Sequence, residues 1–204
     1  TPIRAEDVRS GRYRAVMAPA ESLEYCERLE AGGKLVLTIW PYHTLLGGVS
    51  HALEPALMEA ALFHSLVRQT PTHFTSKGEA PETENYSILS PEVCELGGRA
   101  VGRFDEELFA RLISCDRVYV FGQAKSHCVL ATLDDLRRRA EAKGGRVLLD
   151  KIWILEDAMS PVPAPPLDPL PPALDFPALA EAAFARLEEA GMRRCTTAED
   201  IVIP

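Results

Sequence analysis

A cysteine and a lysine are the residues best suited to chemistry. Cys128 follows a strand-like run, Arg117 to Phe121, and a glycine turn at Gly122, which puts it in the first turn of a helix predicted over Cys128 to Ala142. Unpaired backbone N–H groups and the helix dipole favour a thiolate there, and the same N–H groups can hold an oxyanion. Lys77 closes another short strand-like stretch, Thr72 to Lys77, and a cation at a neighbouring strand end favours the thiolate further. The chemistry these types can do is nucleophilic attack on a carbonyl. A lone cysteine is also often a small buried hydrophobe, so position by itself leaves both readings of Cys128 open.

Two more clusters fall after strand-like runs, where ligands bind in open α/β sheets. One is Trp40-Pro41-Tyr42-His43 with Gly47-Gly48; the other is Lys77-Gly78 with Glu84-Asn85-Tyr86-Ser87. Read by type alone, Trp40 packs a strand end and His43 hydrogen-bonds within a turn. His51, His64 and His73 receive no functional role. Ser126 and His127 adjoin Cys128, but neighbours along a turn often point away, and neither is assigned as a base. Lys125 is read as solvated.

The elements that must position these residues alternate in type. Glu21 to Glu30 carries Leu23, Cys26 and Leu29 at helical spacing and stops at Ala31-Gly32-Gly33. Lys34 to Trp40 is a continuous apolar run of the kind found in covered parallel sheets. His51 to Gln69 has the broad apolar stripe of an amphipathic helix, with Leu53, Leu57, Phe63, Leu66 and Val67. Asp105 to Ile113 reads as a helix with acidic residues at its start. Val147 to Leu155 reads as a strand, and Phe176 to Ala190 as a last helix ending at Gly191. Residues 1–20 read as an irregular arm with at most a short helical piece near Ala5 to Ser10. Residues 159–177 hold eight prolines and form a stiff connector within a single domain. Alternating strands and helices predict an α/β fold with an open, mainly parallel sheet and helices on both sides.

Composition narrows the partners. The chain has 204 residues, 47% hydrophobic and 25% charged, which suits a folded domain with its own core. A net charge of −8 with scattered Lys and Arg argues against nucleic acid as a partner. No apolar run reaches the roughly 18 to 20 residues of a membrane span, so a soluble, cytoplasmic protein with no membrane partner is expected. Five cysteines, with no Cys-x-x-Cys pair, argue against a disulfide framework or a thiolate zinc site.

Taken together, the three clusters resemble the cysteine hydrolases of the isochorismatase-like superfamily, in its nicotinamidase-related branch. The resemblance spans about residues 34–160. It rests on Trp40-Pro41-Tyr42-His43, on Lys77-Gly78 followed by Glu84-Asn85-Tyr86-Ser87, and on Gly122-Gln123-Ala124-Lys125-Ser126-His127-Cys128-Val129, in that order. It implies a three-layer α-β-α, Rossmann-like fold and hydrolysis of a small planar carboxamide through a thioester. Nicotinamide is the leading substrate; Gln123, Lys125 and His127 differ from the typical loop and keep related amides open.

By the same match Cys128 is the nucleophile, Lys77 stabilises its thiolate and helps move protons, and the N–H groups of Ala124 and Cys128 form the oxyanion hole. The Gln123–Ala124 peptide is cis. Trp40 stacks on the substrate, Tyr86 and Gln123 line the pocket, and His43 is one ligand of a divalent metal such as zinc. Asp157 resembles the acidic residue after the next strand. No nucleotide cofactor is implied.

One feature of the pattern is missing. The superfamily's triad aspartate lies on a strand upstream of Trp-Pro-x-His, and its Asp-x-His metal ligands follow the second strand. Asp7 is the only aspartate before Trp40 and matches neither role. The expectation is that central N-terminal strands and this Asp come from a piece outside residues 1–204, and that the protein is a homo-oligomer or associates with that piece. The rival expectation is a non-catalytic binding or assembly protein that keeps the fold. An isochorismatase-type vinyl ether hydrolase fits less well, because the match includes both His43 and Cys128.

Overall fold

Strands and helices alternate along residues 1–32 and 35–199, the part of the chain described by this computed structural model, and the fold is mixed α/β. Two units divide it, Thr1–Ser76 and Lys77–Pro204.

In the first unit, β1 (Pro2–Ile3) precedes α1 (Ala5–Arg9) and α2 (Pro19–Ala31), then β2 (Leu37–Thr38) and α3 (Pro55–Arg68). Pro19 starts α2 because its fixed φ suits the first helical position and its missing N–H is not needed there. Tyr25, Cys26 and Leu29 form its buried stripe and Ala5 is buried too, while the Ala5 N–H donates to Glu30. The short helix lies where the sequence allowed one, near Ala5 to Ser10; the strand β1 and the bond from Ala5 to Glu30 of α2 are what an irregular arm did not include. The apolar run before Trp40 forms only the two-residue β2, antiparallel to β1 with Ile3 opposite Leu37. This corrects the expectation of a parallel strand; the start of that run, Lys34, and Gly33 of the preceding stop lie outside the described residues.

Helix α3 starts four residues later than the apolar stripe predicts, because Glu54 is its N-cap, accepting the Leu57 N–H at 3.1 Å, and Pro55 opens the first turn. Its apolar stripe is not buried: Phe63 and Leu66 are each 69% exposed. The stretch after it contains no strand over 72–77; instead Thr72 folds back so that its hydroxyl meets Ser65 Oγ at 2.7 Å.

The second unit begins with a coil and a hairpin, β3 (Glu95–Leu96) and β4 (Arg99–Ala100), joined by Gly97-Gly98. Both glycines have positive φ, 57° and 73°, as a tight two-residue hairpin turn demands. Then come α4 (Glu106–Ser114), β5 (Val118–Val120), α5 (Leu130–Lys143), α6 (Arg146–Leu149), β6 (Ile152–Leu155), α7 (Phe176–Ala190) and β7 (Arg193–Cys195). Strands β5, β6 and β7 form a parallel sheet in that order, with Tyr119 opposite Trp153 and Trp153 opposite Arg193.

The core lies on one face of this sheet, where Ile152 and Ile154 meet Phe109 of α4, Leu133 and Leu136 of α5, and Phe184 of α7. The opposite pleat carries Trp153, with the guanidinium groups of Arg117 and Arg193 at 5.2 and 5.0 Å from its ring. The run Val147 to Leu155 is not one strand. Its first part belongs to α6, where Leu149 is buried, and only Ile152–Leu155 is extended. A continuous apolar run has no period to separate helix from strand. Among the described residues no helix is long and apolar enough to cross a membrane.

Candidate active site

Strand β5 delivers the chain to the site. It ends at Val120, and after Phe121, Gly122 takes φ 134°, a backbone state that side-chain-bearing residues rarely adopt. The Gln123–Ala124 peptide is cis, as the resemblance implies. Lys125–Val129 form a π turn, so Cys128 stands in that turn, two residues ahead of α5, rather than inside the first turn of α5. The Ala124 carbonyl closes this turn by accepting N–H groups from His127 and Val129, at 3.1 and 3.2 Å. Single π turns are frequent where a helix presents a functional side chain. Neither the Ala124 nor the Cys128 N–H donates outside the turn among the described residues.

Lys77 meets Cys128 from the other side. Its ammonium has three protons to give. Two go to the carbonyls of Asn85 and Tyr86, at 2.7 and 2.9 Å, and the third goes to Cys128 Sγ at 3.2 Å. The carbonyls fix the position of Nζ, and a fixed cation hydrogen-bonded to sulfur stabilises negative charge on it. Lys77 is exposed and Cys128 half-buried.

Thr132 ties the two halves together. Its hydroxyl donates to the Cys128 carbonyl at 2.8 Å and accepts the Ile88 N–H at 3.2 Å. The segment that carries the two lysine-binding carbonyls is thereby hydrogen-bonded to the first turn of α5. Tyr86 contributes its carbonyl to Lys77 while its ring lies 5.8 Å from that of His127. Gln123 is exposed beside the turn.

Ser126 and His127 are buried, at 8% and 5% exposure. Ser126 Oγ accepts the Val162 N–H at 2.9 Å and stands 2.8 Å from His127 Nδ1. Phe176, the first residue of α7, packs edge-on against the imidazole at 5.0 Å. Burial holds His127 below the usual imidazole range, which keeps it neutral. Both side chains anchor the turn, Ser126 to the Val162 N–H and His127 against Phe176.

Lys125 is not solvated, which corrects its reading from sequence. Its side chain is 13% exposed and sits 3.3 Å from both Glu156 and Glu181, with its ammonium 4.7 Å over the Phe184 ring. Arg194 binds the same two carboxylates. Hydrogen bonds from Arg194, then from Lys125, hold Glu181 below the ordinary glutamate range, and Glu156, ahead of Glu181, raises Arg194 above its ordinary one. Sequence reading missed this cluster because its four members come from separate elements; only the acidic and basic residues flanking strand ends hinted at it.

Other candidates lie elsewhere. Asp157 accepts the Thr197 N–H and hydroxyl, and the hydroxyl, ahead of the N–H, keeps its carboxyl below the usual aspartate range. It caps a turn. No carboxylate pairs with Lys77 among the described residues. Trp40, half-buried, and His43, exposed, belong to the first unit. His43 Nδ1 lies 2.7 Å from the Pro41 carbonyl and so donates to it. Among the described residues no group of three or more His, Cys, Asp or Glu side chains could hold a metal ion. His43 alone does not fit a resident divalent metal, since one imidazole does not make a site.

No family model matches the chain, and neither a curated protein nor a solved structure matches it.

Proposed function

We propose that the protein is a cysteine-dependent amidohydrolase of small planar carboxamides, of isochorismatase-like, nicotinamidase-related type. The observation that carries this reading is the 3.2 Å hydrogen bond from Lys77 Nζ to Cys128 Sγ, with Nζ held by two carbonyls. In this reading the Cys128 thiolate attacks the carboxamide carbon. A C–S bond forms, and the N–H groups of Ala124 and Cys128 receive the oxyanion. Lys77 gives a proton to the departing nitrogen, the C–N bond breaks and ammonia leaves. Neutral Lys77 then takes a proton from water as water attacks the thioester. Breaking the C–S bond releases the acid and restores the thiolate beside the ammonium.

The three-layer fold belongs to the same reading. Strand β5 has a single neighbour, β6, among the described residues, and further strands of such a sheet would add on its other side. A partner that adds strands at that edge would also supply the aspartate that the superfamily places beside the lysine. Within the second unit, Tyr86 would bind the flat ring and Gln123 its edge.

One observation favours a second reading, a non-catalytic binding protein: Lys77 has no carboxylate partner among the described residues to help it exchange protons. Ammonia release from nicotinamide and a panel of aromatic carboxamides separates the two. The hydrolase reading predicts turnover that Cys128→Ala abolishes. Absence of turnover across the panel, with and without added divalent metal, overturns it.

A further inference from the structure

The geometry points to Lys125 as a positioning residue for acyl transfer, one that holds the Ala124–Cys128 turn in the shape an oxyanion requires. This inference rests on the hydrolase reading of the Cys128 site and adds a residue that the resemblance does not assign.

Lys125 is fixed at both ends. Its backbone N–H donates to the Ser160 carbonyl at 2.9 Å, and its ammonium is 3.3 Å from Glu156, just after β6, and 3.3 Å from Glu181 on α7. Its position over the Phe184 ring, a residue with no exposed surface, adds a cation–π contact. The carboxylates are themselves fixed, because Arg194 on β7 binds Glu156 and Glu181 at 2.5 Å each. Two cations and two carboxylates thus pin one residue of the cysteine turn to three separate elements.

That residue lies between the two N–H groups assigned to the oxyanion. Ala124 immediately precedes it, and Cys128 follows three positions later within the same π turn. Rotation of the Lys125 backbone would swing both N–H groups, while Thr132 still holds the Cys128 carbonyl and Asn85 and Tyr86 still hold Lys77, so the Lys77 contact to sulfur stays in place. Oxyanion stabilisation depends steeply on donor placement, whereas displacement at a saturated carbon needs no oxyanion at all. Lys125 therefore matters for attack on a carbonyl and not for alkylation.

The experiment compares two reactions of the full chain at a temperature where every variant is folded by circular dichroism. One is the burst of p-nitrophenolate from p-nitrophenyl acetate, in which Cys128 sulfur bonds to the acetyl carbon as the C–O bond breaks. The other is alkylation of Cys128 by iodoacetamide. Lys125→Met keeps the stem over Phe184 and leaves Arg194 to neutralise the carboxylates. The expected result is a burst rate at least about tenfold lower, an alkylation rate within about twofold of wild type, and substantial recovery of the burst in Lys125→Arg. Glu181→Gln, on an exposed carboxylate, gives a smaller loss of the same kind and serves if Lys125→Met does not fold. Equal burst rates in wild type and the variants overturn the inference alone. Parallel loss of both reactions also overturns it, since it marks a general distortion. A wild-type protein that releases no p-nitrophenolate through Cys128 overturns this inference, while the carboxamide panel separately decides the hydrolase reading.

Discussion

Lys77 Nζ lies 3.2 Å from Cys128 Sγ, although 51 positions separate the two residues in the chain. Strand β5 and the π turn bring the cysteine, and the carbonyls of Asn85 and Tyr86 bring the lysine. A free lysine side chain would sample many rotamers, so holding one ammonium on two carbonyls and a sulfur is costly unless the contact is kept.

Removing that cation should slow the thiol. Lys77→Met is expected to lower the rate of Cys128 alkylation by iodoacetamide at near-neutral pH by about tenfold or more, read as site-specific labelling by peptide mass spectrometry. An unchanged rate would mean that the lysine does not stabilise negative charge on the sulfur.

The Thr132 bridge should be measurable by an isosteric change. Thr132→Val keeps the volume but leaves the Ile88 N–H and the Cys128 carbonyl without this hydroxyl. A loss of about 1–2 kcal/mol in urea unfolding is expected, with slower Cys128 alkylation as the lysine-binding segment loosens. A variant as stable and as reactive as wild type would contradict the bridge.

His127 predicts a pH dependence with a definite sign. Burial lowers its pKa in the folded protein, so below its unfolded value of about 6.5 the unfolded chain binds the proton more readily. Its contribution is fully present above that pH and is lost as pH falls from there through the folded value. Glu181 and Asp157 are also held low, but their losses begin only in the carboxylate range, near pH 4.5 and below. Melting temperatures between about pH 7.5 and 5 should fall for wild type and stay flatter for His127→Gln. Identical profiles would refute the role of the buried neutral imidazole.

The core makes a plainer claim. Phe109 has no exposed surface and packs in the cluster formed with α5, β6 and α7. Phe109→Ala should cost about 3–5 kcal/mol, seen as a lower urea midpoint. A loss under about 1 kcal/mol would mean that α4 does not pack as described.

How much of this was legible in the sequence depended on how local each signal was. The helix Phe176–Ala190 could be read to the residue, because Asp175 caps it, Pro177 sits in its first turn and Gly191 stops it. Glycine after β5, and then Cys128, marked the turn that carries the thiol. Strand β7 was missed: Arg193 and Arg194 give no apolar pattern, since one reaches Asp150 and the other the carboxylates on α7 and after β6. The π turn shifted Cys128 ahead of the helix that spacing put it in. The burial of Lys125 and His127 depends on Glu156, Phe176, Glu181 and Phe184, residues some 30 to 60 positions downstream, and no window around either residue contains that information.

The most direct measurement is competitive labelling of the five thiols with iodoacetamide at about pH 6, quantified peptide by peptide. Cys94 and Cys115 are exposed and Cys128 is half-buried, so accessibility alone would label those two first. The account predicts that Cys128 is labelled first. Labelling of Cys94 and Cys115 ahead of Cys128, or all three at one rate, would contradict it.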